Sequence, residues 1–143
     1  MIAIGKEGIK IPVDEAQNHV FGHAVGIDLT RRDLQARAKE QRRPWDCSKG
    51  FDQSAPISPV HPVLLKRDAR IWLAVNGVMK QSAHIDAMIW SIPEIISILS
   101  HQFRLLPGDL IFTGTPAGIG PVVVGDVIMA GVEGVDEISL KII

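Results

Sequence analysis

The pattern of apolar and polar positions is strand-dominated. Its cleanest stretch is the last one: Ile138, Leu140 and Ile142 fall on one face and Glu137, Ser139 and Lys141 on the other, a period of two that predicts a half-buried strand. Upstream, "PGD" leads into "LIFTGTP" and "VGD" into "VIMAGVEGV", two further β-prone runs. "RIWLAVNGVMKQ" sets Asn76-Gly77 between two such runs and predicts a hairpin. The opening "MIAIGKEGIKIPV" predicts a strand and a turn at "GKEG", and "HAVGIDLT" has the apolar content of a buried strand.

Helical signals are fewer. "SIPEIISILSHQF" is the strongest, with Ser91 placed to cap, Pro93 in the first turn and Glu94 three residues after the cap. "VDEAQNHVFG" predicts a short helix starting near Asp14, with Gly22 just past its end. A third helix is expected after Thr30, where Thr30 and Asp33 imitate a capping box with a shortened acid, and it should end by Arg43 because Pro44 follows. Asp28, Arg32 and Gln35, spaced i, i+4, i+7, would then lie along one stripe of it. Between these elements "PWDCSKGFDQSAPISPVHPV" is irregular, and long ordered loops often carry function. The sum is a mixed, β-rich (α+β) fold with two or three short helices, not a doubly wound sheet.

Composition narrows the class. With 143 residues, 46% hydrophobic and 22% charged, the chain has the content of one globular domain, 1–143. A net charge of -1 gives no reason to expect nucleic acid or an acidic membrane as partner. Cys47 is the only cysteine, which excludes an internal disulfide and points to a reducing compartment. No apolar run has the length of a membrane span, and "MIAIGKEGIK" holds glycines and charges where the apolar core of a leader would lie. A cytoplasmic protein is expected.

Candidate chemistry is sparse when taken residue by residue. In "TGTPAGIGPV" the glycines at 114, 118 and 120 match no nucleotide-loop spacing, so it reads as a tight loop after a strand, although Thr115 can offer its hydroxyl and N–H to a carboxylate. His19 and His23 have the i, i+4 spacing of zinc ligands, without the glutamate or third ligand such a site uses. Cys47 reads as small apolar packing sooner than as a nucleophile, for which no base is in view. Lys49 stands beside a glycine in the irregular segment and is either solvated or functional.

Taken together and in order, "GIDLTRRDLQARAKEQRRPWDCSKGFDQSAPISPV", "WLAVNGVMKQ", "MIWSIPEIISILS" and "PGDLIFTGTPAGIGPVVVGD" resemble the fumarylacetoacetate hydrolase family, most of all its branch acting on acylpyruvates such as fumarylpyruvate. The resemblance covers essentially the whole chain. It implies a β-roll or sandwich around a metal site, a homodimer, and hydrolysis of a carbon–carbon bond in a small β-diketo acid. It further implies that Asp28 is a ligand of Mg2+ or Mn2+. Arg32 and Gln35 become contacts to the substrate carboxylate, and Lys49 the catalytic cation beside the developing enolate. Thr115 and Gly114 become contacts to the pyruvoyl end.

The family's other two metal ligands are glutamates at i and i+2 on a strand. No two acids in this chain have that spacing. The chain is therefore expected to be the C-terminal portion of a longer member, with the glutamate pair upstream of Met1, and to bind Mg2+ weakly and turn over poorly alone. The alternatives are a non-catalytic remnant or keto-acid-binding module, and an oxaloacetate decarboxylase or dienoate hydratase on the same scaffold.

Overall fold

The computed structural model describes residues 1–143, which form two compact units: Met1–Val25 with Ser58–Ile143, and Gly26–Ile57. The first unit holds two antiparallel sheets. In the smaller, β1 (Ile2–Ile4) lies between β2 (Val20–His23) and β5 (Leu110–Ile111). All three β1 residues are buried, as suits an apolar run at the centre of a sheet.

The larger sheet contains β3 (Arg70–Val75), β4 (Val78–His84), β6 (Val127–Val132) and β7 (Asp136–Lys141) in the order β4-β3-β6-β7. Asn76 and Gly77 take φ of 50° and 77°, the pair of positive values that a two-residue hairpin turn of matching twist requires, and Val75 pairs with Val78 across it. The expected alternation of β7 is present: its residues are half-buried and exposed in turn, with Ile138 opposite Ala130 and Leu140 opposite Ile128.

A helix over Ile92–Ser100 completes this unit's core. It starts as its sequence predicts: the Glu94 carboxylate accepts the Ser91 N–H (2.7 Å) and the Ser91 hydroxyl (2.6 Å). Ile96, Ile92, Ile95 and Leu99 then pack with Ile2, Ile4 and Ile111. Burying Ile96 alone stabilises the fold by roughly 1.5–3 kcal/mol. At the helix end the buried Ser100 Oγ accepts the Ile11 N–H (2.8 Å) and donates to the Ser97 carbonyl (2.7 Å).

In the second unit an extended run at 27–31 is followed by α1 (Arg32–Glu40) and the one-turn α2 (Asp46–Lys49); the helix at Ile92–Ser100 is then α3. Backbone N–H groups of Ile27, Leu29 and Arg31 donate to the carbonyls of Pro56, Ser54 and Ser48 at 3.0, 2.8 and 3.0 Å. The Arg31 guanidinium lies over the Phe51 ring, 4.4 Å from its centroid. No helix is long and apolar enough to cross a membrane.

Three expectations are corrected. "VDEAQNHVFG" forms only a one-turn 3-10 helix at Ala16–His19 and runs straight into β2, so Gly22 is a strand residue, not a helix terminator. A Cβ there would overlap the His61 carbonyl, because the His61 backbone pairs with His23 (2.9 and 2.8 Å). "HAVGIDLT" is buried at Ala24, Val25 and Ile27 but is no strand of its own: His23 is the last residue of β2, and beyond it only Gly26 forms a bridge, with Ile57. Thr30 does not cap α1, whose N-cap is Arg31.

Candidate functional site

The Thr30 hydroxyl has a different partner. Lys49 Nζ donates to Thr30 Oγ1 (2.8 Å) and to Asp28 Oδ2 (2.6 Å). The placement follows from local structure. The Ser48 carbonyl holds the Arg31 N–H and Ser48 itself is buried, so the next side chain, Lys49, meets the extended run at 28–30. Both charged side chains keep solvent access, 37% for Lys49 and 53% for Asp28, which leaves them reachable by a ligand.

This arrangement revises the stripe expected from spacing. α1 begins at Arg32, so Asp28 precedes it and is brought into place by Lys49 instead of by helical periodicity. Arg32 and Gln35 do share one turn: Arg32 Nη1 donates to Gln35 Oε1 (3.0 Å), and Gln35 is buried. A buried carboxamide that fixes one arm of a guanidinium leaves the rest of the fork for a planar carboxylate. Cys47 is exposed, not packed, because the single turn of α2 turns Ser48 inward in its place.

The first unit contains a cavity of about 580 Å³ lined by Thr113, Gly114, Thr115, His23, Ile89 and Trp90, among others. Thr115 lies in the loop between β5 and β6, which no helix follows, as expected; the segment is long and irregular and is not the tight loop expected. Gly114 has φ of 109°, and nothing crowds its open side, so backbone conformation is what selects glycine there. Sequence reasoning missed Gln81 of β4, whose Nε2 lies 2.8 Å from Thr115 Oγ1 and 2.8 Å from the Pro116 carbonyl. The available signal was a carboxamide at an inward position of a strand.

The histidines divide by environment. Burial, with the Met1 ammonium adding to it, pushes the His23 imidazolium pKa down. His19 is buried with Nδ1 3.0 Å from the Lys6 carbonyl. His61 Nε2 lies 3.1 Å from Asp136 Oδ2, and the Asp136 carboxyl is held below its usual range by the Glu137 N–H and then by His61. His84 Nδ1 faces the Asp68 carbonyl at 2.7 Å.

A divalent cation taking hard oxygen ligands needs several of them. Asp28 offers one carboxylate, and no three His, Cys, Asp or Glu side chains gather into a group able to hold an ion. The residues described do not by themselves compose such a centre.

Two antiparallel sheets with a few short helices define a mixed α+β protein, and Lys49 and Asp28 form a solvent-accessible ammonium–carboxylate pair in it. Residues 1–142 match the family described as fumarylacetoacetate (FAA) hydrolase C-terminal, and the chain belongs to the fumarylacetoacetate hydrolase family. It is 45% identical to a fumarylpyruvate hydrolase of Ralstonia sp over 99% of this chain and 75% of that protein. It is 40% identical to the mitochondrial oxaloacetate tautomerase of Mus musculus over 99% of this chain and 65% of that one. The crystal structure of fumarylpyruvate hydrolase from Pseudomonas aeruginosa in complex with Mn2+ and pyruvate is 48% identical, with a TM-score of 0.96 over 99% of this chain and 62% of that chain. The chain thus spans less than two thirds of the latter two proteins.

Proposed function

We propose that this chain carries part of the active site of a metal-dependent hydrolase that cleaves acylpyruvates, fumarylpyruvate first among them, into pyruvate and a carboxylic acid. The observation that carries the reading is the Lys49 ammonium 2.6 Å from Asp28, in a chain nearly half identical to fumarylpyruvate hydrolases. In this reaction water adds to the acyl carbonyl and the bond to the pyruvate methylene breaks. The electron pair passes to the pyruvate C2 oxygen as an enolate, which then takes a proton at C3. Lys49 is the cation placed for that developing charge, where stabilisation acts on the barrier. Arg32, with Gln35 bracing it, and Thr115 with Gly114 are the proposed contacts to the substrate carboxylate and pyruvoyl end. Asp28 is proposed as one oxygen ligand of Mg2+ or Mn2+; the Mn2+ of the Pseudomonas complex supports a divalent ion. A homodimer is the proposed assembly.

A second reading, chemistry on oxaloacetate, is favoured by the tautomerase relative. A substrate panel separates the two. The product of the whole open reading frame that contains these 143 residues is assayed with fumarylpyruvate, other acylpyruvates and oxaloacetate in the presence of Mn2+. The proposal expects fumarylpyruvate to show kcat/KM at least about tenfold above oxaloacetate, the scale on which contacts to one substrate group discriminate. The reverse order replaces it with the second reading.

A further inference from the structure

Gln81 is the only buried residue of β4, and its carboxamide faces the loop that carries Thr115. One terminal atom of that amide lies 2.8 Å from both Thr115 Oγ1 and the Pro116 carbonyl oxygen. The carbonyl can only accept, so the atom facing it is nitrogen, and Pro116 fixes the orientation of the amide. A carboxamide nitrogen has two hydrogens and accepts nothing. Thr115 Oγ1 must therefore be an acceptor from Gln81, and its own hydrogen stays available. The loop lies close against β4 here: a Cβ at Gly118 would overlap the carbonyl of Lys80, the backbone neighbour of Gln81, and Gly118 has φ of 100°.

We infer that Gln81 is a positioning residue that sets the Thr115 hydroxyl as a hydrogen-bond donor toward the carboxylate of an α-keto acid in the cavity Thr115 lines. The inference rests on the proposed function for its ligand class, and on the amide geometry for its direction. Without Gln81 the hydroxyl rotates freely, and its hydrogen can satisfy the Pro116 carbonyl or water in place of the ligand. Gln81 touches no ligand itself; its effect passes through Oγ1.

A double-mutant cycle tests this, with pyruvate as the probe and Mg2+ present, by calorimetry on the full reading-frame product. Gln81→Met should weaken pyruvate binding about tenfold in the presence of Thr115, and less than about twofold in a Thr115→Val background, because the interaction to be lost is then already gone. Equal losses in both backgrounds would mean a packing role and overturn the inference. Should Gln81→Met fail to fold, the unmutated protein decides. Its Gln81 side-chain NH2 protons should exchange slowly and shift on pyruvate addition, and fast-exchanging, unshifted protons overturn it. Pyruvate binding that obeys the cycle in a protein inactive on every acylpyruvate keeps this inference and removes the hydrolase reading. No pyruvate binding removes both.

Discussion

Lys49 Nζ donates to Asp28 Oδ2 at 2.6 Å across 21 residues of chain, and the same ammonium reaches Thr30 Oγ1. Because both partners are partly open to solvent, the pair adds little to stability, less than about 1 kcal/mol after screening. Lys49→Met should therefore leave the thermal midpoint nearly unchanged. Acylpyruvate turnover should fall about 100-fold or more in kcat, with the smaller change in KM. A variant that unfolds, or one that keeps its kcat, contradicts the role given to this cation.

The loop after β5 predicts a contrast between two glycines. Gly118→Ala meets the Lys80 carbonyl and a left-handed backbone, and should lower stability by about 1–3 kcal/mol. Gly120→Ala meets nothing and has no such constraint, so it should be neutral within about 0.5 kcal/mol. Urea unfolding of the two variants checks this, and equal midpoints would contradict the docking of the loop on β4.

His23 predicts a pH dependence. Burial, and after it the Met1 ammonium, lowers its pKa in the folded chain, so the folded state binds this proton less readily than the unfolded one. Above the unfolded value of about 6.5 the imidazole is neutral in both states and its contribution is fully present. As pH falls through the unfolded value and on through the folded one, that contribution is lost. Stability should drop as pH falls below about 6.5, and the drop should be shallower in His23→Gln. An identical slope in the variant would assign the effect elsewhere.

Divalent metal binding by the 143-residue chain alone should be weak. One carboxylate, already engaged by an ammonium, predicts a Mn2+ dissociation constant on the order of millimolar, weakened further in Asp28→Asn. Electron paramagnetic resonance of free Mn2+ measures it directly. Micromolar binding would show that these residues assemble a coordination sphere by themselves.

What was legible in the sequence is what local chemistry decides. The Ser91–Glu94 cap, the Asn76-Gly77 turn and the alternation ending at Lys141 depend on neighbours in the chain, and all three are present. What was not legible depends on partners far along it. Gly22 looked like a helix stop because its real constraint is the backbone at His61. Thr30 looked like a cap because its real partner is Lys49. Cys47 looked packed but is exposed, because a one-turn helix has no periodicity to read. The same limit hid Gln81, whose partners lie in a loop two elements later. The candidate residues themselves were named from motifs; their pairing came only with the fold.

The central claim is carbon–carbon hydrolysis, and labelled water tests it most directly. The full reading-frame product is incubated with fumarylpyruvate and Mn2+ in heavy-oxygen water, and the products are analysed by mass spectrometry. Hydrolysis predicts equal amounts of pyruvate and fumarate, with a single heavy oxygen in the new fumarate carboxylate. Release of carbon dioxide, or recovery of the intact substrate skeleton with no pyruvate formed, would contradict it.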